Sequence, residues 1–176
     1  MLKSILVSII VMLACSKSLF SQEFEGGAML GITTSQVNGD GVGGFYKFGA
    51  TAGFFIERRV SANLQGIYEL RYASKGSKDG IGTMEIDVKY IEIPILVRYS
   101  KKNSHVGFKA GIAPAVKVYE KTEVNYFGSS SSDFWKWDVP IHLGFDYDLS
   151  NNTRFDLRYS VSPIPISYHY RNLCVY

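Results

Sequence analysis

The chain has 176 residues, a mean hydropathy near zero and a net charge of +3 from 19 basic and 16 acidic residues. This length suggests a single domain. Beyond the N-terminus there is no apolar run of about 20 residues, which excludes a helical membrane protein. A membrane β-barrel is not excluded, because alternating apolar and polar residues average its hydropathy away.

Residues 1–22 are predicted to be a signal peptide rather than part of the fold. Lys3 supplies a positive charge before an apolar stretch that is too short to span a bilayer, and small and polar residues follow it. Cleavage after Ser21 would leave 17 basic and 16 acidic residues, so the mature chain would be almost neutral. The basic pI is therefore no argument for a nucleic-acid partner.

The two cysteines suggest no disulfide framework. Cys15 lies in a stretch that loosely resembles a lipoprotein box, so its lipidation is an alternative to simple cleavage. If Cys15 is removed with the signal peptide, only Cys174 remains and no intramolecular disulfide can form. An exported domain without disulfides must be held by its core or by closure of its sheet.

Residues 137–147 alternate strictly between two kinds of side chain. Each odd position, from Trp137 to Tyr147, is large and apolar or aromatic, whereas each even position is polar, small or proline. This period of two predicts a β-strand with two unlike faces. Its length matches the roughly 9–11 residues that a membrane-spanning strand needs.

The same alternation recurs along the chain and predicts eight strands. The long connectors, at 36–45, 74–84, 120–135 and 162–168, alternate with short ones at 58–60, 100–104 and 150–152. Outer-membrane barrels have short periplasmic turns and longer extracellular loops. Residues 23–176 are therefore predicted to form an all-β, eight-stranded antiparallel up-and-down transmembrane β-barrel with a short last strand. The predicted strands span 26–35, 46–57, 62–73, 85–99, 105–119, 137–147, 153–161 and 169–176.

The polar face of these strands carries acids and bases in nearly equal number. In an eight-stranded barrel the interior is only wide enough for side chains, and buried charges persist only when they are paired. We therefore predict an inward-facing, structural ion-pair network, with a narrow conduit or a gated pore as the alternative interpretation of the same charges. Its predicted members are Glu69, Arg71, Glu92, Arg98, Lys109, Asp138, His142, Asp146, Arg154, Asp156 and Arg158.

Aromatic residues concentrate near the predicted strand ends, as in the two interface girdles of membrane barrels. Those toward the long loops are Tyr72, Tyr119, Trp135 and Trp137, and those toward the short turns are Tyr99, Tyr147 and Phe155. Three prolines, Pro94, Pro114 and Pro140, lie inside predicted strands. Because proline removes a ladder donor, bulges or local kinks are expected at all three.

Residues 90–99, with Glu92 and Pro94 near their centre, resemble the most recognisable strand of the PorT-like outer-membrane β-barrel family. Residues 107–118 are similar to the glycine-rich strand that follows in that family, and residues 138–160 resemble its next hairpin. The resemblance covers most of the mature chain and implies an outer-membrane location. Family members usually end in a full strand, so either the last strand here is abbreviated or the reading frame is truncated.

The leading functional hypothesis is a non-enzymatic outer-membrane barrel. Its expected partners are outer-membrane lipid and another envelope protein, which it would contact through its loops or its periplasmic side. One alternative is a soluble, lipocalin-like barrel with its apolar face turned inward around a hydrophobic ligand. The other is a lipid-modifying barrel enzyme.

No residue pattern supports a catalytic site, a metal site or a cofactor. His142 lies between Asp138 and Asp146 on one predicted strand. Strand positions four apart are separated by about 13 Å, so these three side chains cannot form one ligand set alone. The serine run at 129–132 is more simply a flexible linker than a source of nucleophiles.

Overall fold

The computed structural model describes residues 24–38, 46–78, 84–124, 135–164 and 171–176. The predicted signal peptide lies outside these residues. The described residues form eleven β-segments: β1 (Phe24–Asn38), β2 (Lys47–Arg59), β3 (Leu64–Lys78), β4 (Met84–Glu92), β5 (Ile95–Tyr99), β6 (Val106–Ile112), β7 (Ala115–Val124), β8 (Trp137–Asp138), β9 (Ile141–Ser150), β10 (Thr153–Val161) and β11 (Arg171–Val175).

These segments make eight strands of one closed antiparallel barrel. β4 and β5 are two parts of one strand, as are β6 with β7 and β8 with β9. Each barrel strand pairs with its neighbour in sequence, and β11 returns to pair with β1. The fold class is therefore confirmed.

Closure of the wall depends on the shortest of the eight strands. β11 pairs with β1 opposite Thr34–Asn38 and with β10 opposite Tyr159–Val161. Tyr176 extends this contact by exchanging two backbone hydrogen bonds with Arg158, at 2.7 and 3.1 Å. Among the described residues, β1 has no strand partner on this side below Thr34, so closure lies in the half of the wall nearer the long connectors, the end that the sequence predicts to be extracellular.

The three strand breaks coincide with the three prolines. Although each proline lacks an N–H, its carbonyl still accepts a hydrogen bond from the adjacent strand. The N–H groups of Glu69, Ile93 and Ala113 donate to the carbonyls of Pro94, Pro114 and Pro140 at 3.0, 2.8 and 2.9 Å.

The pairing register does not change across these breaks. Glu92 pairs with Ala115, and three residues further along each strand Ile95 pairs with Ile112. Of the expected bulges or local kinks, bulges are absent at these three prolines, because a missing donor interrupts the ladder without inserting a residue. The register between β4 and β7 shifts instead just after Lys89.

The apolar side chains face outward and the charged ones inward. Leu30, Ile32 and Phe48 are among the most exposed residues, whereas Glu92 and Asp146 are fully buried. The part of the chain that the structure describes contains no helix long and apolar enough to cross a membrane. Ile67, which breaks the alternation of its strand, and Leu96 are both buried inside the barrel.

The predicted interface aromatics fall into two sets at opposite ends of the apolar surface. Tyr72 and Trp137 belong to one row of paired residues, with Ile91 and Val116 between them. Tyr99 lies eight residues below Ile91 on the same barrel strand, which is roughly 26 Å. Tyr119 and Trp135 lie just above the upper row, and Tyr147 and Phe155 pair with each other at the lower end.

β3 bends inward at its extracellular end. Its ladder with β2 ends at Ala73, and the next residues cross the inner side of β1 instead. The hydroxyl of Thr33 donates to the Ser74 carbonyl at 2.7 Å, and the Gly76 N–H donates to the Ser35 hydroxyl at 2.8 Å. Two side-chain hydrogen bonds thus take the place of the ladder.

Residues 74–78 of β3 and 84–88 of β4, here called the tip, continue the two strands beyond the upper row of aromatic residues, and the buried side chain of Lys75 in the tip reaches Glu92 in the interior. The expected connectors at 36–45, 74–84 and 120–135 are wrong at their edges, since β1, β3, β4 and β7 extend into them. The buried residues of the tip are Lys75, Gly76, Ser77, Ile86 and Val88.

We predict that Gly76→Ala destabilises the barrel, whereas Gly66→Ala on the same strand does not. Gly76 has a φ of +151°, and a Cβ there would lie 1.9 Å from the Ile86 carbonyl oxygen. A Cβ at Gly66 meets only Val60 and Tyr68 atoms, 3.9 and 4.0 Å away. Strain of this kind costs about 1–3 kcal/mol, measurable as a lower urea midpoint in lipid vesicles. Equal midpoints for the two variants would contradict the inward bend.

Candidate functional site

The interior of the barrel holds almost all the charges that the sequence assigns to it. Nine of the eleven predicted residues are buried, and Arg154 and Asp156 are partly exposed. The buried ones are Glu69, Arg71, Glu92, Arg98, Lys109, Asp138, His142, Asp146 and Arg158.

Twelve of the interior side chains form one continuous series in which bases and acids alternate. No successive pair is separated by more than 3.7 Å between nitrogen and oxygen. We call this series the ion-pair chain. From the extracellular to the periplasmic end it runs Lys75, Glu92, Arg71, Glu69, Arg158, Asp156, Lys109, Asp146, Arg98, Asp148, Arg154 and Glu57.

Glu92 is the hub of the extracellular half. It is completely buried and contacts the Arg71 guanidinium at 2.5 Å and the Lys75 ammonium at 2.6 Å. The Tyr176 hydroxyl donates to the same carboxylate at 3.1 Å, and the Tyr176 ring lies 4.0 Å from the Arg71 guanidinium carbon. Glu92 thus ties β3, β4 and the C-terminal residue together.

Asp146 is the hub of the periplasmic half and is also completely buried. Arg98 binds it through two nitrogens at 2.5 and 2.9 Å, and Lys109 approaches it to 3.1 Å. Arg98 also donates to Gln65 at 3.0 Å and to Asp148 at 2.8 Å. The Arg98–Asp146 and Arg98–Asp148 contacts join two strands, β5 and β9, that are not neighbours in the wall.

Glu69 and Arg158 connect the two halves across the barrel. The guanidinium of Arg158 donates to both carboxylate oxygens of Glu69, at 2.9 and 3.0 Å, and also to Asp156 at 3.0 Å. Such two-pronged pairs fix the geometry of both partners more firmly than a lysine contact does. Lys109 forms a hydrogen bond to Asp156, which completes the link to the periplasmic half.

His142 and Asp138 stand outside the ion-pair chain. Asp138 accepts hydrogen bonds from Ser162 at 2.7 Å and Asn172 at 3.2 Å. The His142 ring lies 5.4 Å from the Tyr176 ring, and no described residue hydrogen-bonds either of its nitrogens. The structure therefore separates Asp138, His142 and Asp146, and no group of His, Cys, Asp and Glu within the described ranges could hold a metal ion.

Four residues that contact the interior ion pairs are missing from the set predicted from the sequence. Lys75 falls in a segment predicted to be a loop, and Tyr176 ends the weakest predicted strand. Glu57 and Asp148 are polar residues near the ends of two predicted strands, close to the inward positions of Asp146 and Arg154. The sequence therefore did contain a signal for them.

The tip carries charges that are neutralised on its own surface. Lys47 contacts Glu85 at 2.7 Å and Asp87 at 3.5 Å, and Lys78 contacts Glu85 at 3.2 Å. Glu85 lies above the membrane-spanning part of β4, and its hydrogen bond from Lys47 lowers the pKa of its carboxyl below the ordinary value. Lys89 lies over the Tyr119 ring at 4.4 Å.

The model of one protein family, the outer membrane protein beta-barrel domain, matches residues 20–166. The chain belongs to this family. Family membership and the outward apolar face together identify an outer-membrane β-barrel protein. A comparison with curated proteins gives no match.

Two crystal structures of Ail, the attachment invasion locus protein of Yersinia pestis, have a similar fold. One, in complex with the heparin analogue sucrose octasulfate, is 15% identical with a TM-score of 0.58. The other is 16% identical with a TM-score of 0.55. Each alignment covers 87% of this chain and 94% of Ail. Likeness at this identity concerns the fold alone.

We predict that Glu92→Gln strongly destabilises the protein, whereas Glu85→Gln has little effect. Neutralising Glu92 leaves Arg71 and Lys75 without their shared counter-ion in a buried site, and breaking such a pair costs about 3–5 kcal/mol. Glu85 is about one-third exposed, and exposed pairs contribute about 0–1 kcal/mol. Urea unfolding in lipid vesicles measures both variants. Similar midpoints for the two would show that the ion-pair chain does not stabilise the barrel.

Proposed function

We propose that this protein is a sealed, non-enzymatic outer-membrane barrel that acts through the surfaces it exposes outside the bilayer. The ion-pair chain carries this proposal, because it fills the interior from the tip to the periplasmic end. Outer-membrane lipid would surround the wall, and another envelope protein would contact the exposed ends. Export by cleavage of residues 1–22 and membership of the PorT-like branch of the family are part of the same proposal.

The ion-pair chain argues against a selective pore. Pores that select ions by charge present a ring of one sign, whereas six acids and six bases alternate here. An ion entering this interior would have to break pairs such as Arg98–Asp146, which are nearly or fully buried. Toward the tip, the interior also holds the buried side chain of Lys75, which is paired with Glu92.

The lipocalin-like alternative requires the reverse arrangement of faces. A barrel that binds a hydrophobic ligand would turn Leu143 and Phe145 inward and expose Asp146. In the structure Leu143 and Phe145 are exposed and Asp146 is buried. The arrangement therefore supports a membrane-embedded wall.

A lipid-modifying enzyme would need a nucleophile next to a base at one membrane interface. His142 lies in the interior against Tyr176, away from either interface. His105 lies at a turn, with its ring 5.9 Å from that of Tyr147. The serine run at 129–132 lies outside the described residues. The described geometry thus supports a non-enzymatic role.

The sulfated ligand of Ail raises the question of polyanion binding. The described surface of the tip does not favour it, since Lys47 and Lys78 already contact Glu85 and Asp87. A polyanion would have to displace these acids. We therefore propose contact with a protein rather than a sulfated polymer as the role of the extracellular end.

We expect the reconstituted protein to show no steady current in planar lipid bilayers. The double variant Glu69→Ala, Arg158→Ala removes the central pair and shortens two long side chains, so it should show a measurable leak. Lys78→Ala, on the tip surface, is the matched control and should stay closed. All three proteins must first show the heat-dependent gel mobility of a folded barrel. A steady wild-type current would overturn the sealed interior.

We expect a photo-activated cross-linker placed at Lys78 in living cells to yield a discrete protein adduct. The Lys78 side chain is 44% exposed on the tip. The same cross-linker at Leu143, which is 54% exposed on the wall, should contact only lipid and give no protein adduct. A discrete adduct from Leu143 and none from Lys78 would place the interaction on the wall instead of the extracellular end.

A further inference from the structure

The periplasmic end of the barrel carries a group of exposed cations with no counter-ion of their own. Arg59 ends β2, and Lys101 and Lys102 lie in the connector after β5; all three are exposed. Within the described part of the chain, none of them forms an ion pair. Glu25 is the exposed acid at this end of β1.

The two connectors that carry these cations are direct neighbours. β3 lies between them, with Gln65 pairing with Arg59 on one side and with Arg98 on the other. The Ser100 N–H donates to the Asn63 carbonyl at 3.0 Å, which joins one turn to the other. Since strands are about 4.8 Å apart, the two groups of cations lie on one continuous surface.

This surface differs from the interior and from the tip in its charge balance. Interior charges such as Arg98 and Asp146 neutralise each other, and the tip pairs Lys47 with Glu85. The three exposed cations therefore form a local excess of positive charge at the periplasmic rim. Such an excess attracts anionic partners by long-range electrostatics.

The depth of these residues indicates which anionic partner they meet. Val60, beside Arg59, is 67% exposed, and Tyr99, two residues before Lys101, is 50% exposed on the wall. Apolar and aromatic side chains next to cations are typical of the layer between the hydrocarbon and the headgroups. The connectors are only a few residues long, so they present a shallow rim rather than a groove for a folded protein.

We infer that Arg59, Lys101 and Lys102 bind the phosphate groups of anionic phospholipids in the periplasmic leaflet. Basic groups beside a bilayer attract anionic lipids, and this attraction falls off within a Debye length. The lipid would anchor the two turns at a defined depth, below the aromatic residues of the wall. This inference is independent of whether the interior conducts ions.

The test measures lipid selectivity directly. The protein is refolded in phosphatidylcholine vesicles with a small amount of spin-labelled phosphatidylglycerol or spin-labelled phosphatidylcholine, and the motionally restricted fraction of each label is compared. We expect phosphatidylglycerol to be preferred by about twofold or more. The triple variant Arg59→Gln, Lys101→Gln, Lys102→Gln should abolish this preference, and high salt should weaken it in the unmodified protein.

A matched pair of single variants controls for charge and folding. Lys101→Gln removes one charge from the rim, and Lys78→Gln removes one from the tip, well above the membrane. Only Lys101→Gln should reduce the preference for phosphatidylglycerol, while both proteins keep heat-dependent gel mobility. An equal reduction by both variants would overturn the inference, because net charge rather than this surface would then control selectivity.

A second measurement separates lipid from the polymer that also lies in the periplasm. Purified peptidoglycan is incubated with the unmodified protein and with the triple variant. We expect the same retention for both. If the triple variant loses retention on peptidoglycan while its lipid selectivity is unchanged, the rim binds the polymer and the inference is wrong.

Discussion

In hydrocarbon, every backbone N–H and C=O group must find a partner within the protein, because no water is present to replace it. This constraint applies to the paired part of the wall, whereas β1 below Thr34 lacks a strand partner on the β11 side among the described residues. It explains why even β11, five residues long, pairs on both sides. It also explains why the prolines are tolerated: each costs one donor, while its carbonyl continues to accept from the next strand.

A closed wall creates a second constraint in its interior. Eight strands enclose a space that side chains fill, so polar positions of the alternation become buried positions. The ion-pair chain satisfies their charges, and it does so by joining strands that are distant in the wall. Arg154 and Glu57, for example, are 97 residues apart in sequence. The interior thus acts as the core of the protein, with ion pairs where a soluble domain has apolar contacts.

The two ends of the barrel differ in whether their exposed charged side chains form ion pairs. At the extracellular end, Glu85 of β4 is paired with Lys47 of β2 and Lys78 of β3. At the periplasmic end, Arg59, Lys101 and Lys102 are exposed and form no ion pair with a described residue. Under the two proposals above, the extracellular end contacts a partner protein and the periplasmic end binds anionic lipid.

The alternation in the sequence by itself determined the strand number, the two faces of the wall and the inward position of residues such as Glu92 and Asp146, because a period of two is a local property of a strand. Only the tertiary structure decided which acid meets which base, since this depends on how the closed sheet is staggered. It likewise decided that Lys75 enters the interior, because the inward bend of β3 rests on contacts with Thr33 and Ser35 of another strand.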